Sequence, residues 1–144
     1  MADKTLAERL LVKPGQRLAV LDAPDTAASR YASLPAGATQ VSDLVAGADV
    51  IHLWVPDRAA LERRWPAVAA ATGASTTLWI SYPKKSGRIK TDITRDSGWG
   101  PVLDAGFDPV SQFAVDDDWS ALRFRHDPAL RERRIARGAR VGGR

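Results

Sequence analysis

The chain has 144 residues, 44% of them apolar and five of them tryptophan, enough to close the core of one domain, and it lacks cysteine, which excludes disulfides, thiolate metal sites and thiol nucleophiles. No apolar run approaches the roughly 20 residues of a membrane span, and the charged start MADKTLAERL lacks the apolar stretch of a secretory signal, so a soluble, cytoplasmic protein without a membrane partner is expected. The net charge of +4 sits at the end: eight arginines against Asp127 and Glu132 from Arg123 onward leave the preceding residues slightly negative.

Thr5 and Glu8 have the spacing of a capping box, with Leu6 and Leu10 on one face, so a short helix is expected to start there. Pro14 and Gly15 should end it, the glycine taking a left-handed turn. Four short apolar runs follow, starting at Arg17, Ala38, Asp49 and Thr76, each reading as a strand buried on both faces. Between the last two, Asp57 is placed to cap a helix whose Leu61, Trp65, Val68 and Thr72 form one stripe. Pro66 removes a backbone donor within it and predicts a kink or a break into two short helices near Trp65. After the basic stretch YPKKSGRIKTDITRD, Asp92 is placed to cap a poor helix through the 90s. SQFAV and SALRFR then flank DDDW as an antiparallel hairpin.

These elements predict a small α/β, Rossmann-like doubly wound sheet, mostly parallel with a C-terminal antiparallel hairpin, in the order 2-1-3-4-6-5. The expected division is one domain over residues 1–127 and an Arg-rich helix or tail over 128–144 that frays past about Gly138. In this order LDAPDT, VPDR and YPKKSGR all leave the carboxyl edge of the sheet, where open α/β sheets bind ligands.

The stretches LVKPGQRLAVLDAP, ADVIHLWVPDRAALERRWPAVA, TLWISYPKKSGRIKTDIT and FAVDDDWSALRFR together resemble a family of short bacterial proteins catalogued only as a domain of unknown function. The resemblance spans residues 5 to 126 and implies a Rossmann-like fold without implying an activity. More loosely, LAVLD and the terminal hairpin are similar to the S-adenosylmethionine-dependent methyltransferases, which would imply binding of that cofactor near Asp22, with Asp43 available to its ribose. This chain departs from their pattern after the first strand: Ala23 to Thr26 contain no glycine, and Pro24 offers no backbone donor.

Lys84, Lys85, Ser86 and Arg88 form a candidate anion site, since phosphate cradles combine a turn, backbone donors and a lysine counter-charge. The alternative is a solvated loop whose charges pair with Asp92 and Asp96. Asp22 and Asp25, at the exit of the first strand, are candidate ligand contacts, with turn chemistry as the competing role. Asp116 to Asp118 read as turn formers rather than a hard-metal site. His52, inside an apolar strand, reads as a buried, hydrogen-bonded residue rather than a general base, and no GxSxG supports serine hydrolysis. Trp54, Trp65 and Trp79 read as core, whereas Trp99, between glycines, is the tryptophan placed to face a ligand.

With no catalytic constellation, the leading expectation is a non-catalytic binding or regulatory module without a cofactor. Its sheet edge would take a small anionic ligand or a protein partner. The alternatives are a reduced S-adenosylmethionine-binding, methyltransferase-like protein and nucleic-acid binding through the Arg-rich tail.

Overall fold

The computed structural model describes residues 4–44 and 47–126. The Arg-rich segment 128–144, and with it the expected tail, lies outside the described residues. Helix α1, Leu6–Arg9, starts with the capping box: Glu8 N–H donates to Thr5 Oγ1 at 3.1 Å, and Thr5 N–H to Glu8 Oε1 at 3.0 Å. It stops before Pro14. Leu11 takes a left-handed φ of 68°, its N–H donating to the Glu8 carbonyl and that of Val12 to the Ala7 carbonyl. That is a Schellman closure made without glycine. Gly15, at φ 78°, then supplies the left-handed turn expected of it.

The sheet has six strands: β1 (Arg17–Leu21), β2 (Thr39–Val41), β3 (Val50–Trp54), β4 (Thr77–Pro83), β5 (Phe107–Ala114) and β6 (Trp119–His126). Their order is β2-β1-β3-β4-β6-β5, as expected. β2, β1, β3 and β4 are parallel, and β6 runs antiparallel to both β4 and β5. All five residues of β3 are buried, the composition of a strand covered on both faces. β2 departs from that expectation: only three residues long and largely exposed, it is the sheet's edge. β5 is the opposite edge, where Pro109 is tolerated and the register shifts between Pro109 and Ser111.

Helix α2, Arg58–Ala71, is capped by the Asp57 side chain and buries Ala60, Leu61, Trp65 and Val68. Pro66 lies inside it, and the helix runs through rather than breaking in two. The proline is on the solvent side, where water can satisfy the carbonyl freed one turn earlier. The expected helix through the 90s is replaced by turns, and α3 is Gly100–Asp104. Asp92 serves α2 instead: its Oδ1 accepts the Arg58 N–H at 2.8 Å and its carbonyl accepts Arg58 Nε at 2.9 Å.

One face of the sheet packs Leu21, Leu53, Ile80 and Leu122 against α2 and α3. The other packs Leu18, Val20, Trp54 and Trp79 against α1 and a 3-10 helix, Asp25–Tyr31. Among the described residues no helix is long and apolar enough to cross a membrane.

Candidate functional site

Because β1, β3 and β4 are parallel, their carboxyl ends share one edge. The chain leaves β1 toward β2 on one side and β3 toward β4 on the other, so a topological switch point lies between β1 and β3. A cleft of about 560 Å³ opens there, lined by Asp22, Trp54, Pro56, Ala60, Arg63 and Arg64. Asp22, the first residue after β1, has a left-handed φ of 60°, a conformation that costs a non-glycine residue about 1 kcal/mol or more. Its carboxylate accepts Arg64 Nε at 2.6 Å and Nη2 at 2.8 Å, a bidentate pair. The Arg64 guanidinium holds the Asp22 carboxyl below its ordinary range, so the group is ionised at neutral pH. Asp25 is not among the cleft residues; it is exposed in the first turn of the 3-10 helix.

The basic loop divides. Lys84, Lys85 and Ser86 line a second cleft of about 500 Å³ with Tyr82, Thr94, Arg95 and Asp96. Arg88 is not in it: its Nη2 donates to Asp118 Oδ2 at 2.7 Å and its backbone N–H to Asp118 Oδ1 at 2.9 Å. Gly87 permits this approach, since a Cβ there would stand 2.9 Å from the Asp118 Cα. Gly87 therefore serves contact with the hairpin turn. Of the partners expected for the loop charges, Asp92 is engaged by Arg58, whereas Asp96 pairs with Arg95 of the basic stretch itself at 3.6 Å. The acidic turn behaves as turn chemistry, Asp116 Oδ1 accepting the N–H groups of Asp118 and Trp119.

Beneath the edge runs a buried polar chain. Trp54 Nε1 donates to Tyr31 Oη at 2.7 Å, Tyr31 Oη lies 2.6 Å from His52 Nδ1, and His52 Nε2 lies 2.6 Å from Ser81 Oγ. With the tyrosine proton directed to Nδ1, the Nε2–H donates to Ser81, and every ring nitrogen is satisfied. Burial pushes the His52 imidazolium pKa down to about 3, so the ring is neutral. His52 is thus the buried, hydrogen-bonded residue its strand context implied. Tyr31 and Ser81 carried no such signal, because they meet His52 only through packing and strand pairing. Trp99 departs from expectation: it is buried, donates Nε1–H to the Thr94 carbonyl at 2.9 Å, and packs against Tyr82 and Phe124.

No family model matches the chain, so the resemblance to the short bacterial family has no match behind it, and no curated protein sequence matches either. Among solved structures, the chain is similar to N,N-8-amino-8-demethyl-D-riboflavin dimethyltransferase (RosA) from Streptomyces davawensis, at 16% identity and a TM-score of 0.48, over 78% of this chain and 50% of that one. It is also similar to LepI in complex with SAM, at 20% identity and a TM-score of 0.48, over 85% of this chain and 39% of that one. The chain spans half or less of the length of both. The expectation of a non-catalytic module without a cofactor is corrected here: the chains it is similar to are a dimethyltransferase and a complex with SAM.

Proposed function

We propose that the chain is a reduced, methyltransferase-like protein that binds S-adenosylmethionine in the cleft between the carboxyl ends of β1 and β3. The observation that carries this reading is the composition of that cleft at the switch point: one ionised carboxylate, Asp22, and two guanidinium groups, Arg63 and Arg64. The cofactor's amino-acid end carries both an ammonium and a carboxylate, which these groups complement. A volume of about 560 Å³ lies within the range of small-molecule sites. The residues fit the group in size and charge. They depart from the usual pattern in the loop, where Asp22 rather than glycine supplies the left-handed turn.

When bound, S-adenosylmethionine supplies an electrophilic methyl group. Asp22 would accept hydrogen bonds from its polar groups, and Arg63 would face its carboxylate. The cleft lining contains no histidine or tyrosine, and its carboxylate is held ionised by Arg64. A carboxylate held ionised in this way is a weak base, so a methyl acceptor would have to lose its proton to water or through its own chemistry. Titration calorimetry with S-adenosylmethionine tests the reading. Saturable binding is expected, weakened about tenfold or more in Asp22→Ala, the scale of a lost charged hydrogen bond. No heat at millimolar cofactor, or equal binding by Asp22→Ala, would overturn it.

A further inference from the structure

The second cleft, at the carboxyl end of β4, shares no lining residue with the first. It carries three cations, Lys84, Lys85 and Arg95, against one carboxylate, Asp96. Asp96 lies 3.6 Å from Arg95 on an exposed surface, whereas neither Lys84 nor Lys85 forms an ion pair with a carboxylate of the described residues. The contrast with Arg88 is direct: that guanidinium is discharged on Asp118, and the same contact ties the loop to the hairpin turn. A further backbone bond, Lys84 N–H to the Asp118 carbonyl at 2.8 Å, fixes the loop where the two lysines leave it. Tyr82, Ser86, Thr94, Gln112 and Ser120 supply the remaining, uncharged lining. Burial raises the Tyr82 phenol, which keeps its proton and donates to Gln112 Oε1 at 3.2 Å.

We infer that this cleft binds a small molecule through a dianionic phosphate monoester held by Lys84, Lys85 and Arg95. The charge argument sets the class: three cations less one carboxylate leave +2, which a dianion neutralises and a monocarboxylate does not. The size argument sets the rest. About 500 Å³ exceeds what a phosphate group alone fills, leaving space for the organic part of the ligand beside Tyr82. The site takes three of the four basic-loop residues that the sequence singled out, exchanges Arg88 for Arg95, and stands independently of cofactor binding between β1 and β3.

Phenyl phosphate and benzoate, titrated calorimetrically at constant ionic strength, test the inference. Phenyl phosphate is expected to bind saturably, about tenfold or more tighter than benzoate. The double variant Lys84→Ala, Lys85→Ala is expected to weaken it by a further factor of about ten or more, with an unchanged near-ultraviolet circular dichroism spectrum. Arg63→Ala, in the other cleft, is expected to leave phenyl phosphate binding within about twofold, since the two clefts share no lining residue. Equal affinity for the two probes overturns the dianion assignment. Absence of saturable binding, or equal weakening by Arg63→Ala and the double lysine variant, overturns the site itself. Asp22→Ala separates this inference from the cofactor reading, because it should abolish neither phenyl phosphate binding nor its dependence on the lysines.

Discussion

The two faces of the sheet are covered by different means. On one, the fourteen-residue helix α2 lays Leu61, Trp65 and Val68 over Leu53, Leu78 and Ile80. On the other, the cover is the four-residue α1 and a 3-10 helix, and His52 and Ser81 are buried among the apolar side chains. A long helix presents a regular stripe and is held by area. Short cover presents little area, and here it is fixed by directional bonds: Tyr31 is tied to both Trp54 and His52, and Trp79 Nε1–H donates to the Leu10 carbonyl at 2.9 Å. The first face should respond to volume, and the second to proton and hydrogen-bond chemistry.

The largest effect is expected on the apolar face. Leu61 is fully buried, and Leu61→Ala removes its transfer free energy and leaves a cavity, at about 4 kcal/mol. Urea unfolding should show the midpoint fall with an unchanged slope. A loss under about 1 kcal/mol would mean that α2 collapses into the space, and that area is not what holds this face.

Acid should act next, and on the opposite face. His52 has a folded pKa of about 3 against an ordinary value of 6.5. Between these values the unfolded chain binds a proton that the folded chain does not, so the stability this neutral histidine preserves is complete above pH 6.5 and declines as pH falls toward 3. At pH 4 the loss is about 3 kcal/mol. Asp22 and Glu8, whose carboxyls are held below their ordinary range by Arg64 and Thr5, lose their contribution in the same direction at lower pH. The histidine is isolated by comparing urea midpoints between pH 4 and 6.5 in the parent and in His52→Gln. The variant's slope should be flatter, and identical slopes would remove His52 as the source.

How far the sequence foretold this contrast depends on whether the signal was local. The capping box at Thr5, the Asp57 cap and the α2 stripe are local, so α2 and the strand order were legible. Where a residue's partner is distant in sequence, the reading went astray. Asp92 has the chemistry of a cap, but the helix it serves starts at Arg58, 34 residues earlier. Arg88 sits among lysines in sequence and on Asp118 in space. Trp99 lies between two glycines yet is covered by Tyr82 and Phe124, from strands on either side of it in the chain. The candidate site was half legible for the same reason: strand ends mark the ligand edge, but which basic side chains share a cleft is decided by the hairpin that packs beside them.

The smallest of the three effects examines the bonds of the second face without changing its area. Tyr31→Phe keeps the ring and removes the hydroxyl that accepts from Trp54 Nε1 and bonds His52 Nδ1. Both partners stay buried, so a donor and a ring nitrogen lose their match, at about 2 kcal/mol together. Ser81→Ala removes only the far end of the chain, the 2.6 Å contact with His52 Nε2, and should cost less. The Trp54 indole proton offers a readout that overall stability does not: its exchange with solvent should speed in Tyr31→Phe and change little in Ser81→Ala. If both variants unfold at the parent's urea midpoint and the indole proton exchanges at the parent's rate, the second face is held by area after all, and the buried chain only fills space between its aromatic rings.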